Sequence, residues 1–265
     1  MEKTEIRVLY EDKDALVIDK PRGFLSEASD TAPSVINGLR EGRGDFLSPI
    51  TRLDREVAGV MLIAKSPKAA ALFSEQLSDR ERFHKEYRAV VSGVPALREA
   101  VLEDLLFKDS AKNKSYVVKR MRRGVKKASL AYTVLATAEQ GGAPVSLLKV
   151  VLHTGRTHQI RVQLASRRHP LLGDGRYGGD TGYPMGLLSY RLSFYLRNGS
   201  PITVTTEQYG QSPFDIFEKA LDNRGFFVYN IKLRKYVLKP KNFPKIYNLF
   251  IELRKTFWAK MVNIL

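Results

Sequence analysis

Short apolar runs of strand character, each cut off by turn residues, recur along this chain, and that rhythm constrains its fold more than any other feature. Residues 6–19 read as two short strands around the turn Tyr10-Glu11-Asp12-Lys13-Asp14, with Ala15-Leu16-Val17-Ile18 as the apolar run of the second. Lys20-Pro21-Arg22-Gly23 then breaks it. Val60-Met61-Leu62-Ile63-Ala64 is a buried-strand candidate. Residues 85–91 alternate with period two, which places Lys85, Tyr87 and Ala89 on one face and Glu86, Arg88 and Val90 on the other. Strands are expected over 116–119 and 129–137, joined through Arg122-Arg123-Gly124 as a basic hairpin tip. Another is expected over 144–152, and 189–196 with 202–206 should close a hairpin around Asn198-Gly199.

Helical signals are fewer. Ser66-Pro67 opens a helix to about Asp79, with Ser as N-cap and Pro in the first turn. Thr157 can cap a helix from near His158 to about Ser166, which sets Arg161 in its first turns. The glycine-rich stretch 173–179 reads as a loop and lacks the Lys-Ser/Thr that a phosphate cradle requires. After Glu207 the character changes. Ser212-Pro213-Phe214-Asp215 starts a short helix that Gly225 can end, and 226–238 is strand-like. Residues 244–265 carry Ile246, Leu249, Phe250, Leu253, Phe257, Met261 and Ile264 at helical spacing. Residues 1–206 therefore read as one domain and 207–265 as a basic αβα extension.

Charge narrows the class. Over 265 residues the net charge is +16 and the pI about 9.9, which favours phosphate-bearing partners. The excess is concentrated. Residues 108–127 hold Lys108, Lys112, Lys114, Lys119, Arg120, Arg122, Arg123, Lys126 and Lys127 against Asp109 alone, and residues 224–265 are as one-sided, with Glu252 their only acid. A solvated face mixes both signs, so the first block is expected to touch phosphate. No apolar run approaches the roughly 20 residues of a spanning helix, and the charged N-terminus has no signal-peptide stretch, so a cytoplasmic protein is expected. There is no cysteine and the four histidines show no ligand spacing, which excludes disulfides, thiolate metal sites and a zinc-dependent base deaminase.

Two segments concentrate the chemistry. Thr51-Arg52-Leu53-Asp54-Arg55-Glu56-Val57-Ala58-Gly59 puts a carboxylate among arginines in a loop held by a core strand. His153-Thr154-Gly155-Arg156-Thr157-His158-Gln159-Ile160-Arg161 is a polar turn opening onto another arginine. Together they suggest a buried Asp54–Arg161 pair facing an anionic polymer, because a carboxylate in a dry cleft needs a cationic partner to stay ionised.

These residues, in order, resemble the RluA type of pseudouridine synthase. The resemblance covers most of the first two hundred residues. It rests on the opening from Tyr10 to Gly23, on Arg52-Leu53-Asp54, on Lys85-Glu86-Tyr87-Arg88-Ala89, on Gly155-Arg156-Thr157-His158-Gln159-Ile160-Arg161, and on His169-Pro170-Leu171-Leu172-Gly173-Asp174 with Tyr177-Gly178 beyond. Any one string recurs by chance, whereas five in sequence do not. Two positions depart from the family: Thr51 stands where it usually has His, and Val57-Ala58-Gly59 where it usually has Thr-Ser-Gly.

The resemblance implies an α+β fold, a mostly antiparallel mixed sheet with flanking helices and an active-site cleft. It implies a cofactor-free, metal-free enzyme that isomerises uridine in RNA, ribosomal RNA first and transfer RNA second. Asp54 would be the nucleophile or the base for a sugar proton, Arg161 its partner, and Tyr87 the ring that stacks on the flipped base. Arg52 would fill the gap left by the base or bind its phosphate. Leu171 would pack on the base edge, and Arg156 and His158 would touch the RNA backbone or organise the turn. A monomer is expected, with no membrane partner. The alternative is a catalytically inactive RNA-binding protein that keeps the fold.

Overall fold

The computed structural model describes residues 6–40, 43, 46–206 and 208–217. Its strands are β1 (Arg7–Glu11), β2 (Ala15–Lys20), β3 (Ser48–Pro49), β4 (Ala58–Ala64), β5 (His84–Ser92), β6 (Glu99–Asp109), β7 (Lys114–Val118), β8 (Val125–Gln140), β9 (Ala143–Leu152), β10 (Leu187–Tyr195) and β11 (Pro201–Thr205). The helices are α1 (Val35–Leu39), α2 (Pro67–Gln76) and α3 (Gln159–Ala165). The strands form one sheet in the order β1-β2-β4-β10-β5-β9-β8-β6-β7, with β3 beside β4 and β11 beside β10. Among the described residues only β4 and β10 pair in parallel, so this is the mixed, mostly antiparallel sheet of an α+β protein.

Period-two alternation divides the core between the two faces. On one face Leu16, Ile18, Met61, Ile63, Tyr87, Ala89 and Val91 pack with Val35 and Leu39 of α1 and Ile160 and Leu164 of α3. On the other, Val17, Val60, Leu62 and Phe194 pack on α2 through Phe73. Both faces of β2 and β4 are thus covered, which explains their unbroken apolar runs. Phe73 is fully buried and meets the Phe194 ring edge-on at 5.5 Å.

Most of the expected strands are present, and the hairpin around Gly199 closes as read. The Ser66 hydroxyl caps α2 by accepting from the Ala69 amide, 3.1 Å away. The helix stops at Gln76 rather than Asp79, because the Gln76 amide exchanges two 2.9 Å hydrogen bonds with the Tyr195 backbone and fixes the helix end to β10.

Two expectations fail. The basic turn at Arg122-Arg123-Gly124 is not a hairpin tip: β6, which was not foreseen, lies between β7 and β8 and pairs with both. The turn instead passes over the end of β6, where the Arg122 guanidinium stacks 4.9 Å from the Phe107 ring centre. Thr157 does not cap α3. The residue ahead of the helix is His158, held at φ 52, and no side chain caps it.

Beyond β11, a 3-10 turn at Phe214–Phe217 lies against β8 and both phenylalanines are buried. The αβα reading of the rest of 207–265 falls outside the described residues, as does its basic block.

Candidate active site

The loop between β3 and β4 presents Asp54, and it is held from three sides. Thr51 is buried, and its Oγ1 accepts from the Leu62 amide of β4 at 2.9 Å. The buried Ser26 hydroxyl donates to the Leu53 carbonyl at 2.8 Å and accepts from the Leu53 amide at 3.0 Å. From below, the fully buried Lys20 Nζ donates to the carbonyls of Pro21 (3.0 Å), Arg55 (3.1 Å) and Val57 (2.8 Å). Burial pulls the Lys20 pKa down to about 8, against the opposing pull of Glu56 and Asp54. The Val57 amide closes the turn on the Asp54 carbonyl at 3.0 Å. Gly59 follows at φ +113, where a Cβ would stand 2.2 Å from the Ser189 carbonyl oxygen, so only glycine lets β4 approach β10 here.

The polar turn ahead of α3 is braced from inside. Gln159 is buried, its Oε1 accepting from the Thr154 hydroxyl (2.7 Å) and the Arg156 amide (3.0 Å), while its Nε2 donates to the Ser129 carbonyl (3.0 Å). Arg161, two residues into α3, then points at Asp54. Its Nη1 donates to Asp54 Oδ2 at 2.7 Å. Its other donors go to a second carboxylate, Asp174: Nε to Oδ2 at 2.7 Å and Nη2 to Oδ1 at 2.8 Å. Burial would lower the Arg161 pKa, but Asp174 and then Asp54 outweigh it and hold it above the ordinary arginine value. Asp174 is 1% exposed, whereas the Asp54 side chain keeps 30% of its surface open to the cleft. One carboxylate anchors the guanidinium and the other is offered to a ligand.

Tyr177 completes the constellation. Its ring lies 5.1 Å from the Arg161 guanidinium carbon and edge-on to His158. Its hydroxyl accepts from the Ser115 amide at 2.8 Å and sits 2.9 Å from His158 Nδ1. With the phenol proton donated to Nδ1, the imidazole carries its own proton on Nε2, which stands 3.7 Å from Asp54 Oδ2. Burial lowers the His158 pKa; Asp54 opposes this, and Arg161 and Arg176 add to it, so the ring is neutral near pH 7.

Tyr87, on β5 between Val150 and Ser189, faces the same cleft. Burial pushes its phenol up to about 12, with the Ser189 hydroxyl acting the other way and the charge of Asp54 adding to the rise, so it keeps its proton at neutral pH. The cleft has a volume of about 1100 Å³. Asp54, Tyr87, His158 and Arg161 line it, together with apolar Ile160, Met185 and Leu187 and the cations Arg52, Arg156, Lys85, Lys108 and Arg176. That is at or above the upper end of small-molecule pockets and suits a segment of polymer.

The expected site residues are therefore mostly assembled. Arg52 lines the cleft but is 66% exposed and paired with Glu27 at 2.8 Å, a bond of little strength at such exposure. Arg156 lines it while donating from Nε to the Lys127 carbonyl at 3.0 Å. Leu171 is not brought to the cleft: it is fully buried in the core, bridged to Val91. Lys108 and Asn113 carry the first basic block to the cleft wall, and the Ser115 hydroxyl ties that arm to the Thr157 carbonyl at 2.7 Å. Sequence reasoning assigned no role to Asp174, Tyr177, Lys20, Ser26 or Gln159. An aspartate in a glycine-rich stretch reads as a turn former, and a lysine ending a strand reads as exposed.

Comparison with known proteins places the chain in a family. Residues 14–166, more than half of the chain, match the model of a family described as RNA pseudouridylate synthase. An uncharacterized RNA pseudouridine synthase of Aquifex aeolicus is 34% identical over 215 residues, which cover 73% of this chain and 66% of that protein. Ribosomal large subunit pseudouridine synthase C of Buchnera aphidicola is 34% identical over 175 residues, covering 65% and 54% respectively. The chain thus spans between about half and two thirds of the length of these relatives. The solved structure of human RNA pseudouridylate synthase domain containing 1 shares the fold, with a TM-score of 0.65 at 23% identity over 79% of this chain and 86% of that one. The chain belongs to the RNA pseudouridylate synthase family.

Proposed function

We propose that the protein converts uridine to pseudouridine within an RNA chain. The observation that carries this reading is the Asp54 carboxylate, ion-paired to a doubly anchored Arg161 yet open to a basic cleft that Tyr87 also lines. The reaction breaks the N1–C1′ bond and joins C1′ to C5. The C5 proton is lost and N1 gains one, so the product is an isomer. Asp54 begins it, by attack at C1′ or by removing a sugar proton, and Arg161 keeps it ionised. The target base must leave its stack, at a cost of roughly a few kcal/mol, to reach a carboxylate held inside the cleft. The Tyr87 ring then stacks on the extruded base, and its retained hydroxyl proton makes it a hydrogen-bond donor.

Lys108, Arg156 and Arg52 at the cleft wall, with the exposed cations of 108–127 beside it, suit the phosphates flanking that base. Ribosomal RNA is the first substrate to test, since a relative bears that activity in its name, and transfer RNA the second. The test is tritium release from C5-labelled uridine in bulk RNA, comparing the wild type with Asp54→Asn. Release by the wild type and none by the variant is expected. No release by either, with RNA still bound, would leave a binding protein that keeps the fold.

A further inference from the structure

Most cations lining the cleft already have partners. Arg161 is held by Asp174 and Asp54, Arg52 by Glu27, Arg156 by the Lys127 carbonyl, and Arg176 by the carbonyls of Lys112 and Asn113. Lys85 has none. It is half-buried and lines the cleft, and among the described residues it makes no hydrogen bond or ion pair. Its only electrostatic neighbour there is the Phe83 ring, centred 6.0 Å from Nζ. The ammonium lies against the bare Cα of Gly155 in the polar turn, where an added methyl carbon would come within 3.4 Å of it. Burial lowers its pKa and no nearby carboxylate opposes that. A half-buried ammonium with no carboxylate beside it can be matched by an anion that a ligand brings into the cleft.

Position indicates which anion. Lys85 and Tyr87 are alternate residues of β5 on one face, so their Cα atoms stand ~7 Å apart. That separation is about the reach from a base to the phosphate of its own nucleotide. We infer that Lys85 binds the backbone phosphate of the nucleotide whose base stacks on Tyr87, and so sets where along the RNA the flipped uridine is seated. The inference rests on the enzyme reading above. It makes Lys85 a substrate-positioning group, distinct from the chemistry at Asp54. The phosphate replaces the water that otherwise solvates the ammonium, and it supplies the charge the site lacks.

The test compares wild type, Lys85→Met and Lys85→Arg in single-turnover tritium release from C5-labelled bulk RNA, at several salt concentrations and with protein in excess. For Lys85→Met the half-saturating protein concentration should rise roughly tenfold, with a much smaller change in the saturating rate. The salt dependence of half-saturation should weaken by about one phosphate contact, a slope change of roughly 0.7 for a single strand. Lys85→Arg should restore both. Thermal melting separates this from a structural role: removing a half-buried charge that has no protein partner should leave the melting temperature of Lys85→Met equal or higher. A lower melting temperature, or an unchanged half-saturation and salt slope, would overturn the assignment while leaving the enzyme reading intact. A fall in the saturating rate alone would move Lys85 to the chemical step and also overturn it. No release by the wild type would overturn the enzyme reading and this assignment together.

Discussion

Asp174 grips Arg161 through both Nε and Nη2, at 2.7 and 2.8 Å, and leaves Nη1 as the donor for Asp54. The guanidinium is thereby fixed in plane before any ligand arrives, so Asp54 meets a preset partner. The two carboxylates share one arginine but differ in exposure, and substitution should separate them.

Asp174→Asn should destabilise the fold by roughly 3–5 kcal/mol, because it removes the buried charge that holds the guanidinium at Nε and Nη2 and leaves only the half-open Asp54 as its counter-ion. It should also lower the rate of pseudouridine formation by about 10²-fold through misplacement of Arg161. Asp54→Asn, at a partly open position, should abolish the rate with little change in stability. Chemical denaturation of both variants beside the rate assay checks this. An Asp174→Asn protein as stable as the wild type would refute the anchoring role.

Lys20 gives a pH signature. Its folded pKa of about 8 lies below the ordinary lysine value of 10.5, so between these pH values the unfolded chain holds more protons than the folded one. Stability contributed by this group must therefore rise with pH over that window. The charge is a burden below pH 8 that alkaline pH relieves. Lys20→Met removes the titration together with the three carbonyl contacts, so it should be the less stable protein while lacking this slope. The wild-type-minus-variant difference should grow by ~1.4 kcal/mol per pH unit from about 8 towards 10. A flat difference across that range would contradict the burial argument. The variant should also be slow, since Lys20 ties β2 to the turn that presents Asp54.

The sheet was legible where one residue in two met the core. β2, β4, β5, β9 and β10 carry dense apolar runs, and the structure places them centrally in the sheet. β6 escaped because its sequence, Glu99-Ala100-Val101-Leu102-Glu103-Asp104-Leu105-Leu106-Phe107-Lys108-Asp109, spreads charge through the run and exposes Val101 at 59%. Missing that one strand turned a crossing connection into a supposed hairpin. In the site, five motifs in order pointed to Asp54, Arg161 and Tyr87, and the structure brings these three to one cleft. Thr51 and Val57-Ala58 departed from the family pattern, yet their packing is accounted for. The Thr51 hydroxyl serves the Leu62 amide, and Val57 and Ala58 are buried. Leu171 was misplaced on the base because an apolar residue among polar motif residues looks available to a ligand, when here it bridges to β5 in the core. The Asp174 anchor and the Lys20 bracket were not legible, since nothing in the local sequence of either residue marks the buried partner it meets only in the folded chain.

Tyr177 offers the sharpest remaining test of how the basic arm is joined to the Asp54–Arg161 pair. Its hydroxyl receives the Ser115 amide of β7 and meets His158, while its ring lies over Arg161. Tyr177→Phe keeps the ring and removes the hydroxyl. The Ser115 amide, on a buried residue, then loses its acceptor, which should cost about 1–3 kcal/mol. His158 loses the partner that fixes its tautomer, so Nε2 no longer reliably presents a proton towards Asp54. Because Asp54 and Arg161 remain paired, the saturating rate should fall less than tenfold. The larger change should be in half-saturation, as the arm of residues 108–127 loosens from the cleft wall. Hydrogen exchange offers an independent readout: the Ser115 amide should exchange markedly faster in the variant, while amides of β2 and β4 keep wild-type protection. Equal exchange at Ser115 in both proteins would show that the phenol does not hold the arm.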